Sequence, residues 1–226
     1  MFENRYDAGV LLSKKLHSTQ NSLVIALARG GVAVGYPIAQ QMQLPLEVLV
    51  VRKLGSPNNP ELGIGAVAEN GVVYLDNGLV DLLQISNEEI TQLKKKEIIE
   101  LDRRIKLYRD GKSLPLLTNK TVIVVDDGLA TGVTSHAALL SLKKHHPKKI
   151  IFAVPVCSHD TAQAIRPLVD AIICLEASDH LESIGRFYEH FDQLTDEQVL
   201  QLLQKTMDSK QYTDSSEDAF TSQIIW

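Results

Sequence analysis

No apolar run in this 226-residue chain reaches the roughly 18–20 residues that a membrane-crossing helix needs. The opening MFENRYDAGV carries acids and no apolar core, which argues against a secretory leader. Cysteine is scarce. Cys157 and Cys174 are too few for a disulfide framework and too far apart for the close pairs of a zinc site. Each lies in or beside an apolar run, so both are expected to be reduced core thiols of a cytoplasmic protein. Basic charge is not in excess: 23 Lys and Arg face 28 Asp and Glu, and the net charge of −5 gives no general attraction for nucleic acid or anionic lipid. The basic cluster KKKE at 94–97 reads as a solvated helix face, and His145-His146 before Pro147 as helix-end charges that complement the dipole. There is no internal repeat and no low-complexity tract.

What remains is an ordinary globular balance, 44% apolar and 23% charged, in a chain long enough for one sizeable core. Apolar runs of strand length alternate with amphipathic segments of helix length. SLVIALA (22–28), LEVLVV (46–51), TVIVV (121–125), IIFAVPV (150–156) and AIICL (171–175) read as buried strands. Helices are expected at 31–42, with Pro37 tolerable only near a first turn, at 135–146 and at 159–168. Continuous β-branched runs suit strands covered on both faces, so the fold class is α/β, a doubly wound and mostly parallel sheet.

Two regions break the rhythm. Residues 54–78 are punctuated by Gly and Pro and read as a long loop with one short strand candidate at Val72–Leu75. Residues 86–112 read as an inserted amphipathic helix, opened by a Ser86–Glu89 capping box and ended by Gly111. Toward the C-terminus, an aromatic stretch RFYEHF precedes a helix capped by Thr195 with Gln198, and 207–226 is a polar tail. The expected organisation is a single domain over 1–206, with a core at about 22–175 and a small hood built from about 1–20 and 176–206.

The chemistry concentrates in VIVVDDGLATGVTSHAALLSL (122–142). In open α/β sheets ligands bind beyond the carboxyl ends of the strands, and Asp126 and Asp127 stand at such an end. Gly128, Leu129, Ala130, Thr131, Gly132, Val133 and Thr134 follow as a small-residue turn into a helix. Small residues let an anion approach backbone N–H groups, and a helix N-terminus favours phosphate. Paired acids are good acceptors for a sugar diol or for water around Mg²⁺. The stretch therefore reads as a ribose-5-phosphate cradle, acids on the hydroxyls and loop on the phosphate. A P-loop is excluded because no lysine follows Gly132, and a haloacid-dehalogenase phosphohydrolase needs Asp-x-Asp where this chain has Asp-Asp-Gly. Gly63-Ile64-Gly65-Ala66-Val67-Ala68 matches a dinucleotide turn formally, but no helix is expected after it. A second anion site is suggested by ALARGGVAVG (26–35): Arg29 offers a fixed fork of donors, and Gly30 and Gly31 permit close approach at a helix start.

Val122 to Thr134 resembles the phosphoribosyl pyrophosphate (PRPP) signature of the type I phosphoribosyltransferases: four apolar residues, two acids and a short loop ending Thr-Gly-x-Thr. ALARGGVAVG is similar to that family's pyrophosphate loop, and the resemblance implies a cis peptide near Arg29. It implies further that a basic residue of VVRKLG (50–55), Lys53 ahead of Arg52, reaches the pyrophosphate, and that residues 54–72 stand where the family has a mobile loop, with Glu61 and Glu69 as candidates by location. The implied activity is transfer of ribose 5-phosphate from PRPP to an acceptor, a nitrogenous base in this reading, with release of pyrophosphate. Arg29, Lys53, Asp126 and Asp127 would carry it, and Mg²⁺ would be held by Asp126 and Asp127 directly or through water. The alternative is a non-catalytic sensor of PRPP or nucleotide on the same fold. A homodimer is expected by the same resemblance. Two departures stand out: Ala130 lies where many purine-salvage members carry an Asp that contacts the base, and Gly128 replaces a usual aliphatic residue, which is expected to loosen the turn. His180 and His190 fall in the hood, near where an acceptor would sit.

Overall fold

The computed structural model describes residues 1–17, 21–179, 181 and 183–206. The expected tail at 207–226 and His180 lie outside the described residues. In chain order the elements are α1 (Arg5–Ser13), β1 (Ser22–Leu27), α2 (Gly30–Met42), β2 (Leu46–Leu49), β3 (Val51–Ser56), β4 (Asn59–Ala68), β5 (Val72–Leu75), α3 (Asn77–Leu82), α4 (Asn87–Arg109), β6 (Thr121–Val125), α5 (Val133–Lys143), β7 (Lys149–Ser158), α6 (His159–Ile165) and β8 (Ala171–Ser178). A helix at 196–206, α7, follows. Five strands form a parallel sheet in the order β2-β1-β6-β7-β8.

Alternate residues of the same strands feed two separate cores. Val24, Ala26, Ile123 and Val125 pack with Leu12 of α1 and with Val34 and Ile38 of α2. Leu23, Ile25, Val122 and Val124 pack on the other face with Ala138, Leu139 and Leu142 of α5. Both faces are covered, which is why these strands read as unbroken apolar runs. Each Val, Leu or Ile among them contributes about 1.5–3 kcal/mol on burial. The strand order reverses between β1 and β6, and a ligand crevice belongs at that reversal, beyond the carboxyl ends.

Residues 54–78 are not a loop. Residues 54–75 belong to an antiparallel three-stranded sheet, β3-β4-β5, turned at Pro57 and Asn58, and Asp76 caps α3. Periodicity missed β4 because its first half is NPELG, poor in β-branched residues. A Cβ on Gly65 would lie 2.2 Å from the carbonyl oxygen of Tyr74, so glycine there serves strand packing rather than a turn. LEVLVV is likewise divided: β2 ends at Leu49, and Val51 already begins the antiparallel sheet. Pro37 lies inside α2 rather than in its first turn. It packs toward α1, where a Cβ on Gly9 would meet Pro37 Cγ at 2.5 Å and the Val34 carbonyl oxygen at 2.3 Å.

Residues 2–3 pair with residues 187–190, two segments of the expected hood. Phe2 N–H donates to the Phe187 carbonyl (2.7 Å), and Glu189 and His190 donate back to the carbonyls of Phe2 and Glu3. Phe2 packs tilted against Tyr188, which stacks on Phe191, in a small aromatic cluster. The inserted helix is α4, opened by the Ser86–Glu89 capping box. No helix among the described residues is long and apolar enough to cross a membrane.

Candidate active site

Helix starts separate into two groups. The N-terminal turns of α1, α3, α4, α6 and α7 are each capped by a side chain, from Asn4, Asp76, Ser86, Ser158 and Thr195. The turns of α2 and α5 have no side-chain cap. Their N-cap residues are Arg29 and Gly132, and these two helices follow β1 and β6, the strands flanking the order reversal. A helix start leaves N–H groups without an internal partner, and these two starts, side by side at the carboxyl ends of neighbouring strands, have no side chain to cap them. Gly132 has φ of 75°, and a Cβ there would sit 2.4 Å from Thr161 Cγ2, so the turn into α5 requires glycine on both counts.

The acids follow β6 directly, at the carboxyl end of the strand. Asp126 Oδ1 accepts the N–H of Asp127 (2.9 Å). Burial, and after it the charge of Asp127, holds the Asp126 carboxyl well above the usual carboxylate range. Asp127 is paired with Arg5 of α1, Nε to Oδ2 at 2.8 Å, with both side chains largely buried. Arg5 also donates to the Asp192 carbonyl and lies 3.8 Å over the Phe191 ring. Tyr188 donates its hydroxyl to the Asp127 carbonyl (2.7 Å), and burial pushes that phenol up. The two loops interlock: a Cβ on Gly30 would fall 1.8 Å from Asp127 Oδ2, and one on Gly31 2.5 Å from the Val125 carbonyl. The Ala28–Arg29 peptide is cis.

Gly128 does not loosen the turn. Its missing side chain is replaced by Ile184 of the hood, whose Cγ2 would be 2.6 Å from a Cβ on Gly128. The following residues are stapled to β7 and α6: Leu129 N–H donates to Val156, Ser158 N–H to Leu129, and the Thr161 hydroxyl to the Ala130 carbonyl. Thr131 is exposed, Thr134 half-buried and Val133 buried.

The basic candidates differ. Arg29 is 29% exposed and sits 3.6 Å from Asp196 of α7. Lys53 projects from β3 and pairs with Glu61, which is 94% exposed. Arg52 is bound to Glu97 of α4 (2.7 Å), a structural pairing. Glu69 stands in the turn between β4 and β5, but its side chain points inward. It is buried, accepts the N–H of Val50 (2.8 Å) and pairs with Arg109 of α4. Sequence reasoning missed Arg5, Ile184 and Asp196, and only the aromatic run around Tyr188 gave a local signal for the hood contact.

Among the described residues no group of three or more His, Cys, Asp or Glu could hold a metal. Two adjacent carboxyls suit a hard divalent cation that takes its remaining ligands from phosphate oxygens and water, as Mg²⁺ does.

A model of the phosphoribosyl transferase domain matches residues 3–189, and the chain belongs to that family. Proteins from two strains of Mycobacterium tuberculosis, CDC 1551 / Oshkosh and H37Rv, each named "putative phosphoribosyl transferase", are 35% identical over 207 residues. The match covers 91% of this chain and 47% of theirs, so the chain spans about half the length of these curated relatives. The crystal structure of TT1426 from Thermus thermophilus is 30% identical and superposes with a TM-score of 0.73 over 89% of this chain and 97% of that one.

Proposed function

We propose that the chain is a Mg²⁺-assisted phosphoribosyltransferase that transfers ribose 5-phosphate from PRPP to a nitrogenous acceptor. The observation that carries this reading is the pair of uncapped helix starts flanking Asp126 and Asp127. They supply two anion subsites at a spacing set by adjacent strands, with acids for a diol between them. The N–H groups from Thr131 to Thr134 suit the 5′-phosphate, while Arg29, Gly30, Gly31 and Lys53 suit the pyrophosphate.

In the transfer, the C1′–O bond to pyrophosphate breaks and its electron pair leaves on oxygen. The acceptor nitrogen supplies the pair for the new C1′–N bond, and its proton passes to the departing pyrophosphate or to water. The protein needs no nucleophile of its own. Its residues orient the ribose and offset the charge growing on the leaving group. Bound Mg²⁺ would add charge neutralisation on the pyrophosphate oxygens, held by Asp126 and Asp127.

Calorimetric titration of PRPP with Mg²⁺ tests the reading, on the native chain and on Asp126→Asn/Asp127→Asn. Heat of binding that vanishes in the double variant is expected, followed by pyrophosphate release in a screen of bases. Equal binding by both proteins would sink the cradle. Binding without turnover on any acceptor would favour the sensor. Sedimentation of the same samples tests the proposed homodimer.

A further inference from the structure

We infer that Asp196, the first residue of α7, is a positioning residue for Arg29, so that α7 and α4 form part of the pyrophosphate side of the site. The inference rests on the reading above that Arg29 receives the pyrophosphate.

Arg29 cannot hold itself. It stands at an uncapped N-cap, and its contact with Asp196 is the one side-chain ion pair or hydrogen bond it makes among the described residues. Asp196 is held firmly. Arg103 donates Nη2 to its Oδ2 at 2.8 Å, and the Tyr108 hydroxyl donates to its Oδ1. Burial opposes the charge on Asp196, but these hydrogen bonds together with the charges of Arg103 and Arg104 outweigh it and keep the carboxyl below its usual range. Its supports are fixed in turn: Tyr108 is 7% exposed, and Arg103 and Arg104 both grip Glu100. The carboxylate is therefore an anchor on a rigid helix.

The geometry favours orientation over competition. Asp196 lies 0.8 Å farther from Arg29 than from Arg103, 3.6 Å against 2.8 Å, and its contact with Arg29 is made at Nη1. Nε and Nη2 of Arg29 remain for a phosphate. Arg29, Arg103 and Arg104 face two acids, Glu100 and Asp196, so the cluster keeps one positive charge in excess and does not repel an anion. A held guanidinium loses less freedom when it binds.

The test uses Asp196→Asn, Asp196→Glu and Tyr108→Phe in the full chain, with two readouts. The first is the NMR order parameter of the Arg29 side chain without ligand. The second is the affinity for Mg²⁺-PRPP and for inorganic pyrophosphate. Asp196→Asn is expected to lower the Arg29 order parameter and weaken both ligands about tenfold. Asp196→Glu should restore part of each, and Tyr108→Phe should give a smaller loss in the same direction. Unchanged or tighter binding by Asp196→Asn, or an unchanged order parameter, overturns the inference. If the native chain binds neither ligand, the functional reading fails alone, and the order parameter still decides whether Asp196 positions Arg29.

Discussion

Replacing Gly30 with alanine should be far more damaging than a glycine-to-alanine change in a helix usually is. At an ordinary first-turn position the exchange stabilises by up to about 1 kcal/mol, since alanine is the better helix former. Here the new Cβ would lie 1.8 Å from Asp127 Oδ2 and 2.4 Å from its Cγ, so the carboxylate must move. Moving it pulls Asp127 off Arg5, whose side chain is only 11% exposed and has that acid as its ionic partner. Overpacking costs about 1–3 kcal/mol, and breaking a largely buried pair about 3–5 kcal/mol when nothing replaces it. Partial solvent access and the remaining Asp192 and Phe191 contacts of Arg5 reduce the sum, and a net loss of about 2–3 kcal/mol is expected. For a chain of this size that lowers Tm by roughly 4–12 °C. Thermal unfolding measures it, with PRPP titration alongside. The decisive control is the same exchange in an Asp127→Ala background, where the obstructing atoms are gone and Gly30→Ala should become neutral or stabilising. An equal penalty in both backgrounds would refute the interlock of the two loops.

Other outcomes follow from single contacts. Tyr188→Phe removes the hydroxyl that bonds the Asp127 carbonyl and should destabilise by about 1 kcal/mol, read as a lower Tm. Gly132→Ala introduces a side chain at positive φ against Thr161 and should lower Tm and weaken PRPP more than it weakens inorganic pyrophosphate, since the turn serves the 5′-phosphate; equal weakening would move the phosphate elsewhere. Lys53→Ala removes polar contacts to exposed Glu61, so Tm should stay within the equivalent of about 0.5 kcal/mol while pyrophosphate affinity falls. Hydrogen bonds from Arg103, opposed by burial and aided by Arg104, hold the Glu100 carboxyl down to about 2. Its folded pKa lies below the unfolded one, so the gain, about 0.5–1 kcal/mol, is present above pH ~4.5 and lost as pH falls toward 2. The Tm difference between native and Glu100→Gln should therefore be full at pH 6 and shrink in acid.

The parallel sheet was legible because burial on both faces writes itself as β-branched runs, and the cradle because its acids, turn and helix are contiguous in the chain. β4 was hidden by Pro60, Gly63 and Gly65, whose place is explained only by the strand beside them. Arg5 was hidden for a different reason. Its partner Asp127 is 122 residues away, and no local period links a helix start to a distant strand tip. Glu69 shows the converse error. Position in the chain suggested chemistry, while the fold turns the side chain inward, onto Val50 and Arg109.

One helix ties the outlying parts together. Along α4, Glu97 holds Arg52 of β3, Arg103 holds Asp196 of α7, and Arg109 holds Glu69 at the end of β4. The three tethers are spaced six residues, or about 9 Å, apart on a single rod. Such a rod makes the antiparallel sheet and α7 share the fate of α4 when the protein opens. Amide exchange should then report two cooperative units rather than a gradient, the parallel sheet as one and everything fastened to α4 as the other.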